Sequence, residues 1–549
     1  MKINLKFIKK LFQNPLFILL LIFSFGACLR LFNIWDNFTF GYDQARDAQR
    51  MLDIVNLKNF KLLGQESDIP GVFHGVLSYY VLAIVYLIGG FNPNFPAIFL
   101  SLINISAIFL IYFTSIILFN DKRVGLLAAF FWAVSYEQIN FSKFISNASP
   151  MGIASLLFFI GLAIFIFQKK NIGLTISVIG FALSVQTNFY LFYQLIFYIV
   201  YFLIFKPKIG LRILLLNFVL LFALFSPYLI AELKWNFMMT KSLLNYVLSH
   251  KQTFDLIGGI NRYIVKISQA IRYSLLAFDT TIAFALFISF SIFSWIKIKV
   301  SKTKIFFFIW LFATAPLFLT FSGVHETQLI NTTFFAPLSI LAAYVLVNIK
   351  SAKNIILILG ILIVFVSNMY LFVSDNFKAI KLLSIQNFTL KDEKNLIDYT
   401  YISAEGKPFS ICALTNPLYI NVLWSYLYST YGKNTYGYVP YWAGQEQVVD
   451  SNNLPYDKNH VPLRFIILEP NAGISDFIKP VFIYMEDNTS SLIEEKKYTD
   501  LIVQKRILNQ DLSTFKDTQG LGKKEIDSIK SIIKVNPRFT CYTTYSKDK

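Results

Sequence analysis

Apolar runs of about 20 residues alternate with short polar loops from Pro15 to residue 373, and then they stop. A helix of that length crosses about 30 Å of hydrocarbon. The pattern predicts about eleven transmembrane helices, at 15–35, 96–119, 124–140, 151–168, 172–188, 189–205, 212–231, 277–297, 304–322, 333–349 and 353–373. One apolar run is left over. Val76–Gly90 has 15 residues, too few to cross. It reads as a re-entrant or interfacial helix, with Tyr79, Tyr80 and Tyr86 suited to the depth of the head groups.

The remainder is more polar. Phe409–Leu414 and Phe465–Leu468 read as short strands, and Tyr419–Tyr428 and Lys523–Ile533 as helices. The expected fold class is therefore mainly α: a polytopic membrane domain over 1–375, followed by a small C-terminal α/β domain over 376–549. Aromatic residues gather between Trp424 and Trp442. They suit a domain core, a surface packed on the membrane part, or a platform on which sugar rings stack.

Composition agrees with a membrane protein. Of 549 residues, 55% are hydrophobic, 17% aromatic and 15% charged, against about 25% charged in soluble proteins; the mean hydropathy is +0.54. The formal net charge of +18 does not point to nucleic acid. Many of its Lys and Arg residues collect in short loops, at Lys2/Lys6/Lys9/Lys10, Lys122/Arg123, Lys169/Lys170, Lys206/Lys208/Arg212, Lys297/Lys299/Lys302/Lys304 and Lys350/Lys353. Such clusters mark cytoplasmic loops, whereas a nucleic-acid binder presents a basic face on a soluble domain. With those loops inside and an odd number of crossings, the tail lies outside. Phe25-Gly26-Ala27-Cys28 resembles a lipoprotein cleavage box, but the apolar run continues to Ile34, so the first segment reads as a retained signal anchor.

Cys28, Cys412 and Cys541 are too far apart for a zinc site. Cys412 and Cys541 could pair in an oxidising compartment, or both could be buried free thiols. The chain has no Gly-Lys-Ser/Thr phosphate loop and no dinucleotide fingerprint, which leaves ATP and soluble nucleotide sugars without support.

The outer loops then collect the chemistry, and the first of them, 36–75, carries the most. From Asp43 the pattern DQARDAQRMLDIV is helical, with Ala45, Ala48, Met51, Leu52 and Val55 on one side. Asp43 and Asp47 are four apart and share a face, which Arg50 joins; Arg46 and Arg50 are also four apart. Two structural alternatives stand beside a catalytic role. Asp43 could be the helix N-cap, and Asp47 with Arg50 an ordinary surface pair.

Tyr42-Asp43-Gln44, just after the first span, and His74-Gly75-Val76-Leu77, leading into the next apolar run, together resemble the first outer loop of the C-type membrane glycosyltransferases. The similarity is to the family 39-like enzymes related to protein mannosyltransferases and aminoarabinose transferases, and Leu63–Glu66 with His74-Gly75 looks like a bacterial branch. It covers roughly residues 15–230 well and the tail hardly at all. Gln44 stands where the family has Glu, both prolines of its His-Pro-Pro-Leu segment are missing, Lys143 stands in for a later Arg, and Asn147 occupies a place where an acid often appears.

The resemblance implies a polyprenyl-phosphate sugar donor, a hydroxyl acceptor on a glycan, lipid or protein, and a site at the outer face of a bacterial cytoplasmic membrane. Asp43 would be the general base, with Asp47 as its runner-up. Arg46, Arg50, Lys143 and His325 would be phosphate partners, with His74 and Asn147 also near substrate. Lys143 could instead snorkel to the interface, His74 could brace the loop, and His325 could sit in an ordinary turn. The family 39-like resemblance implies no metal, although Asp43 and Asp47 could offer oxygens to a divalent cation. A transporter or flippase of lipid-linked material, and a non-enzymatic scaffold, are the rival readings.

Overall fold

The computed structural model describes residues 13–249, 256–277, 279–320, 327–349, 355–378, 380–382, 387–418, 420–443, 453–457, 461–470, 478–487 and 489–509. The chain divides into two compact units. The first comprises Met1–Ile34, Leu57–Val85 and Phe95–Leu383; the second comprises Trp35–Asn56, Tyr86–Asn94 and Ser384–Lys549.

The first unit is helical. Among the described residues, six helices are long and apolar enough to cross a membrane: Asn94–Phe119, Met151–Gln168, Leu211–Lys234, Thr280–Lys297, Ser301–Phe318 and Ile355–Ser374. Shorter apolar helices lie at Pro15–Leu31, Asn171–Thr187, Phe189–Phe205 and Thr333–Asn348. Six of the eleven expected crossings therefore coincide with helices long enough to span by themselves; the other five fall on shorter or broken helices.

Several differ from the expected continuous helix for local reasons. The stretch 124–140 is two helices, Lys122–Val134 and Tyr136–Lys143, broken at Ser135. The Ser135 hydroxyl accepts from Gln138 N at 3.2 Å and so starts the second helix. The break leaves the last carbonyls of the first helix without helical partners. Arg30, fully buried, takes them: its guanidinium donates to Ala133 O at 2.8 Å and Trp132 O at 3.0 Å, and to Asn104 Oδ1 at 2.8 Å. A cation at a helix C-terminus also meets the negative end of the helix dipole. The stretch 189–205 likewise opens as a 3-10 turn, Phe189–Gln194, before its α-helix.

Met151–Gln168 and Asn171–Thr187 form a tight hairpin. A Cβ on Gly161 would lie 2.3 Å from Ser177 N, and one on Gly180 would lie 2.2 Å from Phe158 N. Small residues let helix backbones approach closely where lipid supplies no hydrophobic driving force.

The left-over run forms the helix Leu77–Ile88. Within it Tyr79 and Tyr86 are buried, and Tyr80 donates to Lys61 O at 2.8 Å. The outward side chains are Val81, Ile84, Leu87 and Ile88.

The second unit is built on a five-stranded sheet of order β2-β1-β3-β5-β4. Its strands are β1 Ser410–Leu414, β2 Tyr441–Trp442, β3 Leu463–Leu468, β4 Ser490–Tyr498 and β5 Leu501–Leu508. β1 pairs in parallel with β2 and β3, and β5 pairs antiparallel with β3 and β4. β1 and β3 occupy the two stretches read as strands, and the helix Val422–Leu427 lies within the expected Tyr419–Tyr428. Lys523–Ile533 lies outside the described residues. The charged stretch Lys391–Lys394 is the first turn of a helix, Leu390–Ala404, closed by a reciprocal cap in which Asp392 Oδ2 accepts from Thr389 N at 2.8 Å. Much of the aromatic cluster is core, with Trp424, Tyr426, Tyr428 and Trp442 buried. Cys412 is disulfide-bonded; Cys541, the partner considered above, lies outside the described residues. Cys28 is an exposed free thiol.

Candidate active site

The helix that carries the acidic and basic candidates runs from Tyr42 to Val55 and belongs to the second unit. Gly41, not Asp43, is its N-cap: Gln44 Oε1 accepts from Gly41 N at 3.0 Å and Gly41 O accepts from Ala45 N at 3.0 Å. Asp43 therefore has no capping role. Ala45, Ala48, Met51 and Ile54 face inward, whereas Leu52 and Val55 are only half-buried.

Long-range contacts fix this helix within the unit. Leu390 N donates to Phe38 O at 3.0 Å and Lys391 N to Asp36 O at 2.8 Å. The Asp36 carboxylate takes Lys394 Nζ and Asn94 Nδ2, both at 2.6 Å. Asn453 Nδ2 donates to Gln49 Oε1 at 2.6 Å, and Phe40 packs on Tyr426 with ring centroids 5.7 Å apart. Asp36, Asn94 and Lys394 were not singled out in the sequence. Nothing local marks them, since Lys394 lies 358 positions from its partner.

The candidate carboxylates and arginines do come together. Arg46 Nη1 is 2.7 Å from Asp43 Oδ1, its Nε is 3.0 Å from Asp47 Oδ1, and Arg50 Nη1 is 3.6 Å from that same oxygen. The two acids differ in access. The Asp47 side chain is 11% exposed, and that of Asp43 is 53% exposed. Arg46 is held against both carboxylates and over the Tyr42 ring, 5.3 Å from its centroid, while Arg50 is 34% exposed. Enclosure by the protein raises the Asp43 carboxyl above the ordinary carboxylate range, and Arg46 opposes the rise. The solvent access of the side chain limits that rise. A carboxylate near a helix N-terminus also gains from the dipole. The cation between Asp43 and Asp47 is thus the Arg46 guanidinium. Among the described residues, no three His, Cys, Asp or Glu side chains gather as metal ligands.

The other candidates lie in the first unit. His74 and Asn147 meet one turn. Phe189 N donates to His74 Nδ1 at 3.1 Å, and Asn147 Nδ2 donates to Thr187 O at 2.8 Å. Both side chains are buried, and these bonds brace the turn. Gly75 stands where the resembled His-Pro-Pro-Leu segment has a proline. Its N–H donates to Gln186 O at 3.1 Å, a bond that proline at this position could not make. A Cβ here would lie 2.5 Å from Gln186 Cα. Gly75→Ala is expected to lower stability by about 1–3 kcal/mol through overpacking, measured as a drop in the thermal midpoint of the purified protein; an unchanged midpoint would show that the turn has room to shift.

Lys143 is buried, with its ammonium 5.7 Å from the centroid of the Phe372 ring and no hydrogen-bond partner among the described residues. It does not snorkel to a surface. His325 lies outside the described residues.

No protein-family model matches this chain, and no curated protein matches it. Among solved structures, the chain is similar to an oligosaccharyltransferase from Archaeoglobus fulgidus in the apo form, with 12% identity and a TM-score of 0.46, over 75% of this chain and 63% of that one. It is also similar to the oligosaccharyltransferase AglB from Archaeoglobus fulgidus, in complex with an inhibitory peptide and a dolichol-phosphate, with 13% identity and a TM-score of 0.46, over 90% of this chain and 74% of that one. The chain thus spans less than two thirds of the first.

Proposed function

We propose that this protein is a membrane glycosyltransferase that moves a sugar from a polyprenyl-phosphate donor to a hydroxyl acceptor at the outer face of the cytoplasmic membrane. The observation that carries this reading is the half-exposed Asp43 carboxylate, at the start of a helix and 2.7 Å from Arg46. The loop motifs around Asp43 and His74, and the six apolar helices, support the same reading.

The reaction would be a single displacement. Asp43 takes the proton of the acceptor hydroxyl. The acceptor oxygen bonds to the anomeric carbon from the face opposite the leaving group, and the bond from that carbon to the phosphate oxygen breaks, its electrons going to the lipid phosphate. Attack from the opposite face inverts the anomeric centre, by the logic of inverting glycosidases. The phosphate needs charge stabilisation more than a proton. Arg50 suits that task better than Arg46, because Arg46 is already committed to two carboxylates. An arginine can contact a phosphate through two parallel hydrogen bonds.

Arg50→Ala is therefore expected to raise the KM for the lipid-phosphate donor about 10- to 150-fold, the equivalent of about 1.5–3 kcal/mol for hydrogen bonds to a charged group, with little change in the acceptor KM. Steady-state kinetics with each substrate varied in turn would check this, and an unchanged donor KM would remove Arg50 from the phosphate site.

Sidedness has its own test. A disulfide at Cys412 suits an oxidising compartment. Glu405→Cys, in the second unit, should react with an impermeant maleimide in intact cells, and Ser301→Cys only after permeabilisation. The reverse pattern would put the tail and the proposed site inside.

A further inference from the structure

The second unit contains a cleft of about 330 Å³ that the transfer chemistry does not use. The turn Gly89–Pro93 forms one side. Lys394, Leu427, Thr430, Tyr431 and Asn434 form the others. Its volume is at the small end of the roughly 300–1,000 Å³ range of small-molecule sites, enough for one or two sugar rings.

Its polar groups are fixed in place. Lys394 and Asp398 lie four apart on one face of the helix Leu390–Ala404. The Asp398 carboxylate accepts from the Tyr431 hydroxyl at 2.9 Å and from the Tyr436 hydroxyl at 2.9 Å, which sets the Tyr431 ring. Thr430 Oγ1 donates to Tyr426 O at 2.7 Å, so its lone pairs remain to accept. Asn434 is exposed and brings a carboxamide that both donates and accepts. Thr430 and Tyr431 lie in a π-helical turn, Tyr428–Gly432. Such turns are rare and occur frequently at functional sites.

Charge decides what the cleft would take. Lys394 Nζ is 2.6 Å from Asp36 and 4.9 Å from the centroid of the Tyr431 ring. Its charge is matched by one carboxylate, and Asp398 adds a second negative group nearby. A phosphate would meet a lysine already paired with a carboxylate, and the Asp398 carboxylate beside Tyr431. An apolar ligand would leave the carboxamide and hydroxyl unpaired, at a cost. A neutral polyol with an apolar ring face suits both the aromatic wall and the mixed donors and acceptors.

We propose that this cleft is a binding site for a neutral pyranose unit of a glycan. It rests on the transferase reading only for its purpose, which would be to hold an acceptor glycan. The test is saturation-transfer NMR on the full chain in nanodiscs free of glycosidic detergent, with the methyl α- and β-pyranosides of glucose, galactose and mannose as probes. At least one should receive saturation at millimolar concentration. Asn434→Trp, which fills the cleft from an exposed position, should abolish the transfer, and Asp43→Asn should not affect it. No transfer to any of the six probes, or transfer that survives Asn434→Trp, would overturn the site. Sugar binding in a protein that transfers nothing from any lipid-phosphate sugar would keep the cleft and remove the transferase reading; glycosyl transfer without pyranoside binding would do the opposite.

Discussion

Asp43→Asn is expected to reduce glycosyl transfer by about 10²–10⁴-fold, the usual contribution of a positioned general base, without disturbing the fold. Asparagine keeps the size of the side chain and an oxygen for Arg46, which now lies 2.7 Å from Asp43 Oδ1. Gly41 and Gln44 make the helix cap, so no cap is lost. What disappears is basicity. Donor binding should be retained, which separates a catalytic loss from a binding loss. The pH profile provides a second readout. Partial burial raises the Asp43 carboxyl above the ordinary range, a rise that Arg46 and the solvent access of the side chain limit, so activity should fall as pH drops through that raised value, where the base becomes protonated. The residual activity of the asparagine variant should not show that limb. Asp47→Asn should cost less turnover, because Asp47 is 11% exposed and holds Arg46 at 3.0 Å. Near-normal transfer by purified Asp43→Asn would falsify the assignment. A product with retained anomeric configuration would rule out the one-step mechanism.

The second large effect is on stability. Glu393 is fully buried in the second unit, and neither of its oxygens has a hydrogen-bond partner among the described residues. Burial raises its carboxyl well above the usual glutamate range, and Glu469 pushes it further. Glu469 is itself raised to about 7 by burial, against the hydrogen bonds from Asn416 N and Trp424 Nε1 that favour its charged form. Both groups hold their protons in the folded state at a pH where the unfolded chain has released them. The unfolded state then binds fewer protons, so stability falls as pH rises. The stabilising difference is full below the ordinary glutamate value of 4.5 and is lost upward from there, through about 7 for Glu469 and higher for Glu393. Each group contributes at most about 1.4 kcal/mol per pH unit. Glu393→Gln cannot ionise, so it should be more stable than the parent at pH 8, close to it at pH 4, and should show a shallower pH dependence. The measurement is the thermal midpoint of the purified protein followed by intrinsic tryptophan fluorescence, taken across that range. Equal slopes for parent and variant would mean that Glu393 is ionised in the folded protein.

Local patterns were legible in the sequence wherever a short window carries the physics. Apolar length marked the helical stretches, because a helix must be about 20 residues long to cross hydrocarbon. Phe409–Leu414 and Phe465–Leu468 read as strands because apolar runs of that length mark the buried strands of a sheet interior, and β1 and β3 lie there. The spacing of Asp43, Arg46, Asp47 and Arg50 put acids and bases on one helix face, and the ion pairs lie there.

Other features depended on residues far apart in the chain. The break at Ser135 and its rescue by Arg30 need two helices 102 and more residues apart to meet. β4 went unread because nearly all of its positions are exposed on both faces, which leaves no alternation to detect. The role of Gly75 was invisible until Gln186 packed against it. Above all, spacing could not tell Asp43 from Asp47, nor Arg46 from Arg50. The sequence alone determined which groups share a face. Tertiary structure decided which of them water reaches: 53% exposure for Asp43 against 11% for Asp47. Periodicity is a property of one helix, whereas burial is set by whatever distant segments pack around it, here the tail residues that hold Asp36 and Gln49.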